Sequence, residues 1–425
     1  MLLPLLLACV SSVTVGDDRD PPRRPGGDDT AVDPSGDTAD PTDTADTDTG
    51  VEVIPTDTSA DTAAALDAEA AVFHLDSVHT VDITLLADGR ARLDADPYTY
   101  VPADVTIDGV VFPNVGVRIK GRLGSYRALT GKSALKVDLL EFDGTEKLYG
   151  LEKFNLNNMV QDCAKVKELA AYAIHRATGT PAPRVAYAEV TVDGAPFGLY
   201  SLVEDYDDAF LQANFPDPTG NLYDGDYHLW PDGSYTLVDF TAAGETYFTL
   251  DEGADVALAD IHAVTTAFTG GGLGAVGAIV DLRQHAAFLA ATAWTGHYDS
   301  YSYYANNYRV YFDPGRGGRA VFLPWDPDWA FYAPTAVNTP YGAISAACLA
   351  DTACRAEVVA HLDTLSATVP GGGIEAEVRA AMALIRPALD RDPRLEDDRR
   401  NVRACQDDLL GWFARRGGEL DAAGL

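Results

Sequence analysis

The sequence predicts an α+β protein whose first half is rich in antiparallel sheet and whose second half is helical. Three observations carry this. Apolar residues make up 47% of the 425 residues and charged residues 23%, proportions of a folded chain and not of a disordered, collagen-like or coiled-coil one. Between residues 73 and 120 apolar side chains alternate in short runs broken by Asp-Gly and Gly turns, which is the period of strands. After residue 356 the apolar positions recur at helical spacing.

The chain opens on MLLPLLLACV, and Leu6-Leu7-Ala8-Cys9 resembles a bacterial lipobox, in which the Cys becomes a lipidated N-terminus. Residues 1–16 therefore read as a signal segment, although no Lys or Arg precedes its short apolar run. Residues 17–64 read as a disordered acidic tether: from Asp17 to Asp61 the chain is mostly Asp, Thr, Pro, Gly, Ser and Ala, with no aromatic residue. Such a stretch buries too little apolar surface to offset its ordering entropy. The expected location is outside the cytoplasm, anchored at the envelope through Cys9, with no other membrane contact. No later run reaches the ~18 apolar residues of a membrane span.

Residues 65–355 then read as one mixed domain. The runs VHTVDITLL, DVTIDGVVF and VGVRIKG predict a meander of antiparallel strands. From Asp162, as N-cap, to Ala177 the spacing of Val166, Leu169, Ala170, Ala173 and Ile174 predicts an amphipathic helix, ended by Gly179 and Pro181. VAYAEVTV and GLYSLVE, joined across Asp193-Gly194, predict a hairpin, because both turn residues tolerate positive φ. A second helix is expected from Asp281 to Gly296, followed by a polar and aromatic loop. The strands NYRVYF and RAVFLPW, joined by DPGRGG, then end at Asp326-Pro327-Asp328. Residues 356–425 read as a helical cap of the same domain, broken at Pro370 to Gly373, with one helix expected to stop before Pro387.

The formal charge of −34, from 31 basic and 65 acidic residues, argues against nucleic acid or an anionic membrane as a partner, since phosphate binding needs a cationic footprint. It suits a site that works with a cation. Cys163, Cys348, Cys354 and Cys405 are even in number; a local Cys348 to Cys354 disulfide with a long-range Cys163 to Cys405 pair fits export, and four reduced thiols remain the alternative.

The order of the acids has a chemical reading. Phosphoryl transfer needs a carboxylate to deprotonate the acceptor hydroxyl, an Asn and an Asp to hold magnesium, and a Lys against the nucleotide phosphates. Asp299 after a helix, Asn307 a few residues on and Asp326 after a hairpin stand in the order used by protein kinases. Lys120 closes a strand and is followed by Gly121 and Gly124, and Glu204 closes the strand GLYSLVE where a hinge would begin. Glu168 reads first as a solvated helix residue and second as the helix acid that pairs with such a lysine. His297 reads as a loop donor, and the aromatic cluster Tyr298, Tyr301, Tyr303 and Tyr304 as packing.

The segments GVRIKGRLGS, KFNLNNMVQD, GTPAPRVAYAEVTVDGAPFGLYSLVED, NNYRVYF and LPWDPDWAF together resemble the CotH (spore coat protein H) kinase family, atypical secreted kinases with a kinase-like fold. The likeness runs from about Val111 to Phe331, with more at IRPALDRDPR. The resemblance implies a kinase-like core, ATP and Mg2+ (or Mn2+) as cofactors, and a protein bearing an acceptor Ser or Thr hydroxyl as partner. It implies Asp299 as the catalytic Asp, Lys120 and Gly121 at the ATP phosphates, Glu204 at the hinge, and Asn307 and Asp326 at the metal. Asp328 joins them as a further ligand, since i and i+2 share a face in an extended segment. Asn307 lies eight residues after Asp299 where ordinary kinases place it five later, so Asn306 is a rival. Two other readings stay open: an inactive envelope interaction protein that keeps the fold, and a nucleotidyl transferase.

Overall fold

The computed structural model describes residues 71–425 apart from 123, 143, 231 and 333–336. The expected leader, Cys9 and the tether lie outside the described residues. The first half is a closed barrel of β1 (His79–Leu85), β2 (Val101–Ile107), β3 (Val110–Lys120), β4 (Ala134–Asp138), β5 (Lys153–Asn157), β6 (Val185–Val192) and β7 (Ala195–Glu204), in the order β1-β2-β3-β4-β5-β7-β6. A short helix, α1 (Gly89–Ala95), precedes β2. The meander expected over residues 73–120 is present as β1, β2 and β3. It does not stay open, because β1 also pairs in parallel with β6, Val81 opposite Val190. Closure removes the free edges of the sheet and encloses Val81, Val105, Val117, Leu135, Phe154 and Leu202.

Asp193 and Gly194 turn β6 into β7 with φ of 51° and 75°, as the hairpin turn requires. The expected helix starts later than Asp162, as α2 (Lys167–Ala177). Lys165 sits at φ 63°, which cannot continue a helix backwards, and Asp162 instead accepts the N–H groups of Ala164, Lys165 and Lys167. Nor is α2 amphipathic. It is buried from Lys167 to His175 on every face, because β6 and the helices Leu282–Thr295 and Gly373–Arg391 surround it.

The second half holds a four-stranded sheet among its helices. β8 (Asn221–Asp224), β11 (Thr249–Glu252), β12 (Tyr308–Asp313) and β13 (Arg319–Pro324) pair in the order β11-β8-β12-β13, with β9 (His228–Leu229) and β10 (Tyr235–Thr236) as a separate ribbon. The helices are α3 (Asp208–Asn214), α4 (Ala259–Val276), α5 (Leu282–Thr295), α6 (Tyr301–Tyr304), α7 (Ala343–Ala350), α8 (Thr352–Thr368), α9 (Gly373–Arg391) and α10 (Arg399–Ala423). Asp281 caps α5 through the N–H of Gln284, and Gly296 ends it at φ 62°. The helix expected to stop before Pro387 runs through it to Arg391. Burial of Ala388 and Leu389 beyond the proline outweighs one lost backbone bond. The boundary placed at residue 355 falls inside α8, and the tail shares one core with α2 and α5.

Both cysteine pairs are joined, Cys163 to Cys405 with Cα atoms 5.8 Å apart and Cys348 to Cys354 with 5.1 Å. The segment between α9 and α10 grips the loop after β3: Asp392 takes buried Lys132 at 2.6 Å, Glu396 takes Arg127 at 2.7 Å, and Arg394 donates to the Leu129 carbonyl at 3.1 Å.

Candidate active site

The barrel meets the second half along the ends of β3 and β5, and buried polar groups collect there. Lys120, the last residue of β3, donates to Asn157 Oδ1 at 2.8 Å, and Asn157 Nδ2 donates to Glu168 Oε1 at 2.7 Å. Ser201 donates to the other oxygen of Glu168 at 2.7 Å. A lysine and an acid are thus coupled through one amide. Glu168 is 3% exposed, which corrects its reading as a solvated residue. Burial, then the charge of Asp326, pushes its carboxyl up to about 7. The Lys120 amine also lies 5.1 Å from the centre of the Trp325 ring, next in sequence to Asp326.

Gly121 and Gly124 hold φ of 98° and 89°. A Cβ on Gly124 would fall 2.7 Å from Nε2 of the flexible Gln161 side chain, so it is the positive φ that calls for glycine in this turn. The Gly121 carbonyl accepts the Tyr98 hydroxyl at 2.9 Å. Glu204 does not join the cluster. Its carboxylate takes the backbone N–H and the Nε of Arg184, each at 3.0 Å, so its charge is spent within the barrel.

Asp299 follows the end of α5 and accepts from Asn306 Nδ2 at 3.3 Å and Asn307 Nδ2 at 3.0 Å. Burial is the main cause that pushes it up to about 7, with Asp326 and Asp226 adding to it. Asn306 spends its oxygen on the Tyr227 N–H at 3.0 Å, whereas Asn307 donates to Asp299 and keeps its oxygen open among the described residues. The Asn307 carbonyl accepts the Trp325 N–H at 3.0 Å, which sets Asn307 and Asp326 at facing ends of the β12–β13 hairpin. Both sit in the left-handed region, at φ 49° and 42°, a conformation that costs a non-glycine residue of order 1 kcal/mol or more. The Asp326 N–H points at the Tyr172 hydroxyl at 3.1 Å, which ties it to the helix of Glu168.

Asp328 lies on a 3₁₀ turn, Pro327–Trp329, so the extended-segment reason given for it fails. It nevertheless faces the same charges: burial, then Asp326, Glu168, Asp162 and Asp299, raises it well above the carboxylate range. His297 is buried and neutral, its ring pushed down to about 3 by burial alone. Tyr301 packs in the core beside Tyr308 and Phe322.

Sequence reading missed a second cluster. Arg309 of β12 is held by Asp224 at 3.0 Å, Asp226 at 3.4 Å and Asp251 at 2.9 Å, and its guanidinium lies 5.1 Å from the Trp325 ring. Nothing in the linear order of β8, β11 and β12 announces that meeting. Among the described residues no three His, Cys, Asp or Glu side chains are arranged to hold a metal ion unaided. The donors present fit a hard divalent cation that takes one or two carboxylates and an amide oxygen and completes its shell with water and phosphate oxygens.

In this α+β fold a barrel lysine, a helix acid and a loop of acids come together, the kinds of group that phosphoryl transfer employs. A family model, CotH kinase protein, matches residues 117–418, most of the chain, and the protein belongs to the CotH kinase family. Membership carries a kinase-like function, and with it ATP and a divalent metal in general terms. No curated protein matched the chain significantly.

Proposed function

We propose that this protein is an exported kinase that transfers the γ-phosphoryl group of ATP to a Ser or Thr hydroxyl of another protein, with Mg2+ or Mn2+. The observation that carries the reading is that Lys120, Glu168, Asp299, Asn307 and Asp326, far apart in sequence, are linked through short hydrogen bonds and mutual charge effects. The acceptor oxygen bonds to the γ-phosphorus, the bond from that phosphorus to the β-bridging oxygen breaks, and ADP leaves. Asp299 takes the hydroxyl proton, a role worth about 10²- to 10⁴-fold in rate. Lys120, steered by Asn157 and Glu168, faces the phosphates. Asn307, Asp326 and Asp328 would hold the cation, which when bound neutralises charge on the phosphates. The two disulfides support an oxidising compartment, in keeping with lipid attachment through Cys9.

ATP labelled at the γ or the α position tests this. Transfer from γ is expected, with Asp299→Ala abolishing transfer and retaining nucleotide binding, and Asp326→Ala losing metal-dependent binding in calorimetry. Transfer from α would make the protein a nucleotidyl transferase. Activity of both variants within about tenfold of wild type would remove the mechanism.

A further inference from the structure

Asn155, in the middle of β5, is fully buried, and neither its amide nitrogen nor its amide oxygen has a hydrogen-bond partner among the described residues. A buried amide left in that state carries the desolvation cost of each unpaired group with nothing to offset it. It lines the recess between barrel and sheet with Arg118, Lys136, Asp205, Tyr206 and Trp325. On the same face of β5 stands Asn157, two residues on and so about 7 Å along the strand, which holds Lys120.

The distribution of charge tells the two ends of this recess apart. Lys120 has an amide and an indole face for company and no carboxylate at hydrogen-bond distance among the described residues, so its end suits phosphate. Around Asn155 three of the cations already face carboxylates. Lys136 meets Asp205 at 2.6 Å, Arg309 has its three aspartates, and Lys153 lies 3.9 Å from both Asp138 and Glu252. A phosphate at that end would have to displace carboxylates; an uncharged ring edge with a donor beside an acceptor would not. A planar amide presents one such donor and acceptor pair, the pattern that pairs with the amino group and ring nitrogen of adenine.

We infer that Asn155 reads the base of the nucleotide and makes the recess selective for an adenine edge. The inference rests on the kinase reading above and deepens it. The competing occupant is an ordered water that satisfies the amide and leaves it a structural residue.

Asn155→Leu removes both polar groups at similar size. The expected result has two parts: the Tm of the ligand-free protein does not fall, and the Kd for ATP with Mg2+ rises about tenfold or more. Tripolyphosphate, which carries the phosphates and no base, should compete for wild type and variant alike. An ATP affinity within about twofold of wild type makes the occupant water and overturns the inference. So does an equal loss for ATP and tripolyphosphate, which would place phosphate at Asn155. Should the variant not fold, wild type decides: purine riboside triphosphate, lacking the 6-amino group, must bind about tenfold more weakly than ATP, and equal binding overturns the inference. Wild type that binds no ATP overturns the kinase reading and this one with it.

Discussion

Asn306 and Asn307 are adjacent, and their hydrogen bonds assign them different tasks. Asn306 gives both ends of its amide to Asp299 and Tyr227 and so braces the loop, while Asn307 orients Asp299 and keeps an oxygen for a ligand. Asn157 shows the same economy, with its oxygen on Lys120 and its nitrogen on Glu168. The lysine is therefore aimed by an amide, not gripped by a carboxylate, and in the proposed reaction its charge would serve the phosphates. Lys120→Ala is expected to lower kcat/KM for ATP by about a hundredfold with native far-UV circular dichroism. A loss below about threefold would show that Lys120 does not touch the reacting group.

The elements that carry these residues are held from far away in sequence. The segment before α2 is tied to α10 by Cys163 and Cys405, and the loop after β3 is gripped by the segment between α9 and α10. The C-terminal helices thus brace both the acid of α2 and the glycine turn beside Lys120. Cys163→Ser with Cys405→Ser is expected to remove roughly 2–5 kcal/mol of stability, because the cross-link restricts a very long loop in the unfolded chain. Denaturant unfolding measures it. An unchanged midpoint would mean that the link does not constrain the unfolded chain. The local Cys348 to Cys354 pair closes a short loop at the junction of α7 and α8 and should matter less.

Across the whole molecule, burial of acids couples stability to pH. Glu168 and Asp207 are pushed up to about 7 and Asp226 to about 6, each chiefly by burial. The unfolded chain loses these protons near their ordinary values, about 4, and the folded protein only near neutrality. Between those limits the folded state holds more protons, so stability falls as pH rises and levels off above about pH 7. Self-repulsion at a formal charge of −34 acts in the same direction. In buffer without divalent ions, Tm should be higher at pH 5.5 than at pH 7.5 by several degrees, as scanning calorimetry would show. A higher Tm at pH 7.5 would contradict the burial of these carboxyls.

The strands of the barrel, the Asp193-Gly194 turn, the capped α5 helix and the β12–β13 hairpin were legible because each depends on neighbours within a few residues. The linear order of Lys120, Asp299, Asn307 and Asp326 suggested the proposed site for a different reason: a chemistry with few parts leaves a recognisable succession. Closure of β1 on β6 was not, since a strand's alternation names the face it buries and not the strand it meets. The same limit hid Glu168. Its helix carries an ordinary apolar pattern, and only packing on all sides turned the polar position inward, where desolvation gave it a partner and a raised pKa. Arg309 among its three aspartates and Asn155, without a partner among the described residues, belong to the same class, for the energy of a buried polar group is set by what folding brings against it.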